Sequence, residues 1–211
     1  MADTSIEYLL RSIISGGKLQ YQESTGPDLL DTNNNELING NTTASAVNEL
    51  SLTNAATGNP VLLSTSGGDT NIGMQVSTKG TGAIAFTVPT FLETTPATIN
   101  TAGAATLSTA QILGGLILRD PAGSNRTDTT ETAANLVAAV PGVAVGSSMF
   151  LLIRNTADAA ETITIQGGSG VTISGTATIA QNNSKLFLVR FDNVTGSSEA
   201  VTFYSVGTFV H

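Results

Sequence analysis

Short apolar runs separated by turn residues at regular intervals constrain the fold of this chain more than any other feature. From residue 50 onward, the runs 50–53, 61–65, 72–77 and 83–88 alternate with stretches rich in Gly, Asn and Ser. A repeat of about 11 residues is typical of short β-strands joined by turns. We therefore predict a short-strand β module over residues 50–90, whose strands bury little by themselves and gain stability from neighbouring chains.

The longest apolar runs lie in residues 107–211. The runs 149–153 and 186–189 are apolar at every position, which predicts central strands with two apolar faces. The runs 163–165 and 171–173 instead alternate with Thr, as expected for strands with one buried face. Together these patterns predict a C-terminal β-sandwich or jelly-roll-like domain.

One helix is predicted to interrupt this domain, whereas the run 112–118 is read as a further strand. Asp128 and Glu131 occupy capping-box positions, and Pro141 with Gly142 ends the helix. Its apolar stripe consists of Ala133, Leu136, Val137 and Val140.

The N-terminal region, residues 1–49, is predicted to contain a short amphipathic helix followed by an extended arm. Within 5–15, five apolar residues share one helical face: Ile6, Leu9, Leu10, Ile13 and Ile14. A helix of this length is marginal in water, so its stripe must be buried against the rest of the chain, another copy or a different protein. Residues 18–49 are polar and poorly periodic, which favours the arm.

Residues 91–106 are rich in Thr, Ala and Pro and are predicted to be a linker between the β module and the C-terminal domain. The predicted fold class is therefore mainly all-β, with a short N-terminal helix and one short helix inside the C-terminal domain.

Composition argues against most catalytic chemistry. The chain has no Cys and a single His, the last residue, His211. The chain therefore has no thiol that could act as a nucleophile, and it lacks the cysteines or histidines that a zinc site or a His-clustered metal site would need. The general base of a Ser-His-Asp triad would have to be the last residue. We expect no enzyme activity, no cofactor and no metal.

Charge and hydropathy restrict the partners. The formal net charge is −8 and the sequence pI is about 4.4. We expect neither nucleic acid nor an anionic membrane as a partner, because both require a basic surface. The first residues lack the basic region of a signal peptide, and Pro141, Gly142 and Gly146 interrupt the only long apolar stretch.

A carboxylate-based glycan hydrolase remains the enzymatic alternative, because glycoside cleavage needs only two carboxyl groups. The candidates are Asp120, Asp128, Glu131, Asp158 and Glu161. The capping positions of Asp128 and Glu131 explain those two without catalysis. The chain also has no Trp to form an aromatic platform for a sugar.

Three predicted strands end in an arginine: Arg119, Arg154 and Arg190. Such residues are usually solvated at the rim of a sheet. The alternative is a set of interfacial arginines that pair with carboxylates of a partner.

Several stretches resemble known virion proteins. LTNAATGNP (52–60), SGGDTNIG (66–73) and TKGTG (78–82) resemble a β module that recurs in fibres and head-decorating proteins of tailed bacteriophages. LILRDPAG (116–123), IRNTADAA (153–160) and IAQNN (179–183) are similar to a domain of phage virion proteins. The resemblance implies a structural protein of the virion, trimeric and without catalysis.

Size favours one role within that class. A tail fibre is usually far longer, and a parallel β-helix needs more coils than 211 residues supply. A capsid decoration, or cement, protein fits better, with the helix and arm bound to the major capsid protein and the β-domains associated around a symmetry axis on the virion surface. The alternative is a head or tail fibre adhesin with a receptor-binding surface on the C-terminal domain.

Overall fold

The computed structural model describes residues 28–30, 36–39, 43–86 and 94–211 and divides into two compact units between Thr70 and Asn71. The described chain is mainly β, as predicted, with two short helices. The helix predicted at 5–15, including the stripe from Ile6 to Ile14, lies outside the described residues.

The first unit contains two antiparallel hairpins. β1 (Asp28–Leu30) pairs with β2 (Glu36–Asn39), and β3 (Asn48–Thr53) pairs with β4 (Leu62–Gly67). The prediction of β3 and β4 is confirmed, whereas the predicted arm is wrong where it contains β1 and β2.

Two predicted strands of the β module, at 72–77 and 83–88, are not found over the residues that the structure describes. Residues 72–77 and 83–86 form no strand in the described chain. The spacing of apolar runs marks turns correctly, but a strand also needs a neighbour that completes its backbone hydrogen bonds. Periodicity alone does not supply that neighbour.

The second unit is a β-sandwich-like domain with a sheet of six strands and a sheet of four. The six-stranded sheet has the order β11-β14-β13-β9-β7-β5, and the four-stranded sheet has the order β12-β10-β8-β6. The strands are β5 (Ala97–Ile99), β6 (Thr106–Leu107), β7 (Leu116–Arg119), β8 (Arg126–Thr130), β9 (Ser148–Asn155), β10 (Ile163–Gln166), β11 (Val171–Ser174), β12 (Thr178–Ile179), β13 (Asn183–Asn193) and β14 (Ala200–Val210).

The linker predicted at 91–106 is corrected by β5 and β6. β5 pairs in parallel with β7, β6 pairs in parallel with β8, and Ile99 is buried in the core. Edge strands of two or three residues are too short to produce a periodic signal, and this hid them in a Thr/Ala-rich stretch.

One cluster of buried side chains joins the inner faces of the two sheets. The six-stranded sheet contributes Ile117, Leu151, Ile153, Phe187, Val189 and Phe203, and the four-stranded sheet contributes Ile163, Ile165 and Ile179. The rings of Phe187 and Phe203 meet edge to face with their centroids 6.1 Å apart.

Two short helices close the domain. α2 (Ala133–Ala138) is the predicted helix and buries Ala133 and Leu136, but its N-cap is Thr132, whose side chain accepts from the backbone N–H of Asn135. α1 (Thr109–Leu113) occupies the beginning of the run 112–118, so the prediction of one strand over that run is wrong. A capping box between Ser108 and Gln111 starts α1.

Candidate interaction surface

The strands β9 and β13 lie in the middle of the six-stranded sheet, which confirms their predicted central position. On β9, Leu151 and Ile153 are buried, whereas the intervening Phe150 is 60% exposed. One side of the sheet therefore faces the core, and the opposite side is apolar as well.

Strand register assembles these outward side chains into continuous rows. Leu152 lies opposite Leu116 on β7 and Leu186 on β13. Leu188 lies opposite Phe150 on β9 and Tyr204 on β14. We call this surface the outer face and define it by Leu116, Leu118, Phe150, Leu152, Leu186, Leu188, Tyr204, Val206 and Phe209.

The outer face is a contiguous apolar surface that is partly exposed. Val206 and Phe209 are 56% and 52% exposed, and the five leucines are partly buried. Four strands about 4.8 Å apart and about five residues long span on the order of 300 Å² before corrugation. Contiguous apolar patches of this size on a monomer are often functional.

Two of the predicted interfacial arginines lie at the edge of the outer face. Arg154 follows the buried Ile153 and is exposed, and its Nε donates to Nε2 of His211 at 2.8 Å. Arg190 forms an ion pair with Asp192, whose Oδ2 accepts a 2.6 Å hydrogen bond from the hydroxyl of Thr202. Among the described residues, Arg154 has no carboxylate partner.

Arg119 is not an interfacial residue, and this prediction is wrong. Its side chain is fully buried, and its Nε lies 2.7 Å from Oδ2 of Asp128. Its two terminal nitrogens donate to the carbonyl oxygens of Thr101, Gly103 and Asp120. Arg119 shares the inward side of β7 with Ile117, so it fastens the 99–105 loop to the sheet from inside.

Three of the five carboxylates considered for hydrolysis hold structural hydrogen bonds. Asp128 pairs with Arg119 and also accepts from the N–H of Ala105 at 2.7 Å. Asp120 accepts from the N–H of Ala122, and Glu131 accepts from the N–H of Thr132 and the side chain of Asn135.

The other two carboxylates differ in exposure. Asp158 is exposed, whereas Glu161 is buried, with no hydrogen-bond partner for its Oε2 among the described residues. Over all the residues that the structure describes, no three His, Asp or Glu side chains are grouped so that they could hold a metal ion.

Glu131 provides a pH-dependent test of its hydrogen bonds at the start of α2. The N–H of Thr132, followed by the side chain of Asn135, lowers the pKa of Glu131 below its ordinary value of 4.5. These hydrogen bonds therefore stabilise the folded protein fully at pH values above the unfolded-state pKa of Glu131. Their contribution is lost as the pH falls through the lower folded-state pKa. We expect an NMR titration of Glu131 to show a midpoint below 4.5.

The matching comparison is the stability of Glu131→Gln. The stability difference from the parent protein is expected to shrink as pH falls from about 6 to about 3, because only the parent carboxylate titrates there. A titration midpoint at or above 4.5 for Glu131 would contradict its hydrogen bonds to Thr132 and Asn135.

A small groove lies beside α2. It has a volume of about 240 Å³ and is lined mainly by apolar side chains, among them Leu113, Val143, Met149 and Phe191. Pockets that bind small molecules usually enclose about 300–1,000 Å³. The groove is therefore smaller than a typical ligand site.

The first unit carries a second apolar surface, on the β3–β4 hairpin. Leu50, Leu52 and Leu63 share one face of this hairpin, with Leu52 opposite Leu63. Leu50 and Leu52 are 67% and 74% exposed. A two-stranded hairpin is marginal in water alone, so covering these leucines would stabilise it.

Part of the outer face follows from the sequence alone. Two strands with two apolar faces need a covering layer on each side. The predicted elements of the domain provide one opposing sheet and one helix, which leaves one face without a cover. What the sequence did not indicate was that Tyr204, Val206 and Phe209 on β14 extend this face.

Comparison with known proteins gives no relative: no family model, no curated protein and no solved structure matches this chain. Among the described residues, no helix is both long and apolar enough to cross a membrane.

Proposed function

We propose that this protein is a structural component of a bacteriophage virion, which binds the outer capsid surface as a homotrimer and stabilises the head. The observation that carries the proposal is the outer face, since a sheet with apolar side chains exposed on its second side is suited to assembly with other protein. The sequence resemblance to head-decorating proteins supplies the virion as the place of assembly.

Under this proposal, two parts of the chain bind different partners. The second unit associates with copies of itself, and the apolar stripe from Ile6 to Ile14 binds the major capsid protein. Burial of five aliphatic side chains contributes on the order of 10 kcal/mol before ordering costs, at roughly 1.5–3 kcal/mol each. Three stripes in one trimer add avidity to each single contact.

Co-sedimentation with capsids of the source phage tests the proposal. We expect the full chain to sediment with capsids and deletion of residues 1–17 to abolish binding, because the deletion removes every side chain of the stripe. The deleted protein should keep the mass of the parent oligomer by light scattering. Retained capsid binding after the deletion would contradict the anchoring role.

A pair of point variants refines this test. Leu10→Asp places a charge on the predicted stripe and should weaken capsid binding at least 10-fold. Ser12→Asp adds the same charge about 160° around the predicted helix from Leu10, outside the stripe, and should leave binding within about twofold.

Copy number separates decoration from the fibre alternative. Hundreds of copies on the capsid lattice, counted by mass spectrometry and seen by cryo-electron microscopy, are expected for a decoration protein. A few copies at the tail or at one vertex would instead assign the chain to a fibre or adhesin.

A further inference from the structure

We propose that the outer face is the surface through which copies of this chain associate, with the six-stranded sheets of the copies packed against one another around the symmetry axis. The inference deepens the proposed function, on which it rests for its place in the virion, by naming the partner of the outer face. Charge, shape and composition of the face each support a second copy as the occupant.

The outer face differs in charge from the molecule as a whole, which is acidic. The chain carries 16 acidic and 8 basic residues, so most approaches of one copy to another bring like charges together. Among the described side chains, the charged groups at the edge of the face are Arg154, Arg190 and Asp192, and the last two are already paired. Two copies can therefore meet here without stacking carboxylate on carboxylate.

Arg154 adds a favourable contact to this approach. Its Nε is bonded to the ring of His211, and no described carboxylate lies within ion-pair distance. An acidic second copy would bring carboxylates close to this rim guanidinium, where Arg can bind them in a bidentate manner.

The shape of the face suits another sheet better than a small ligand. Leu152, Leu186 and Leu188 lie on adjacent central strands, and Phe150 and Tyr204 flank Leu188 across the register. Two such surfaces can interdigitate at the spacing of about 10 Å found between packed sheets. This packing gives the outer leucines the second covering layer that one domain lacks.

Other occupants fit less well. A nucleic acid needs a row of cations, but this face has two arginines, one of them neutralised by Asp192. An anionic lipid surface would meet a chain of net charge −8.

Light scattering coupled to gel filtration, with sedimentation velocity from about 1 to 100 µM, tests the inference on the full chain. The parent protein is expected to have the mass of a dimer or trimer. Phe150→Ser and Leu188→Arg should each raise the dissociation constant at least 100-fold and yield monomer at the low end of the series. A parent that stays monomeric at 100 µM would overturn the inference.

Thr127→Arg is the matched control, because Thr127 is exposed on the outward side of β8 in the four-stranded sheet. It should retain the parent mass. Circular dichroism must show the parent fold in all variants, and Phe150→Ser provides the mild substitution if Leu188→Arg fails to fold. A folded Phe150→Ser variant that keeps the parent dissociation constant would also overturn the inference.

Capsid co-sedimentation separates this inference from the proposed function. A parent protein that oligomerises through the outer face but binds no capsid would leave the inference standing and remove the decoration role. Capsid binding by a parent protein that is monomeric both in solution and on the capsid would support binding to the head and overturn the inference.

Discussion

Replacement of Arg119 by Met is expected to lower the free energy of unfolding by roughly 3–5 kcal/mol. Methionine fills a similar volume but removes the cation that lies 2.7 Å from Asp128 inside the domain. The carboxylate of Asp128 would remain buried without its counter-charge. The carbonyl oxygens of Thr101 and Gly103 would also lose their donors, and this would loosen the 99–105 loop.

The double variant Arg119→Met with Asp128→Asn distinguishes charge from packing. Its side-chain amide oxygen can still accept from the N–H of Ala105, but no uncompensated charge stays buried. We expect urea denaturation followed by circular dichroism to show the double variant as more stable than Arg119→Met alone. A loss below about 1 kcal/mol in the single variant would show that the ion pair does not hold the loop.

The fold class was predictable because the main strands of the sandwich have a continuous apolar run or a clear alternation of apolar and polar residues. The apolar runs of β9 and β13 and the alternating residues of β10 and β11 all lie in strands of the sandwich. α2 was predictable from its helical stripe. The short strands β5 and β6 were not, because two or three residues cannot show a period and their place depends on pairing with β7 and β8.

The arginines show where sequence reasoning about a site stops. Leu118-Arg119 and Ile153-Arg154 look alike, yet Arg119 is buried and Arg154 is exposed. The side of a strand on which a residue lies depends on its parity relative to the core, and runs that are apolar on both faces conceal that parity. Only the sheet itself shows that Ile117 and Ile153 point inward, which places Arg119 with the core and Arg154 with the outer face.

Substitution of Gly170 by Ala is expected to destabilise the domain by about 3 kcal/mol or more, the second large effect predicted for this fold. Gly170 has φ +75°, and an alanine Cβ there would lie 2.7 Å from the carbonyl oxygen of Glu199 and 2.8 Å from the Cβ of Ala133. The left-handed backbone alone costs an alanine roughly 1–2 kcal/mol. The two contacts add to this cost, because the backbone before β14 or the start of α2 must move.

Gly123→Ala is the control that separates conformation from contact. Gly123 has φ +85°, but no atom lies within 4 Å of the Cβ position, so its substitution should cost only the conformational 1–2 kcal/mol. At Gly170 the same change also disturbs the carbonyl that accepts from the N–H of Val201 and the neighbouring Ser169 carbonyl that accepts from the N–H of Ala133. Equal losses of unfolding free energy in the two variants, measured by urea denaturation, would show that the backbone around Gly170 accommodates the added methyl group without further destabilisation. A larger loss at Gly170 would show that the turn between β10 and β11 holds β14 and α2 in place.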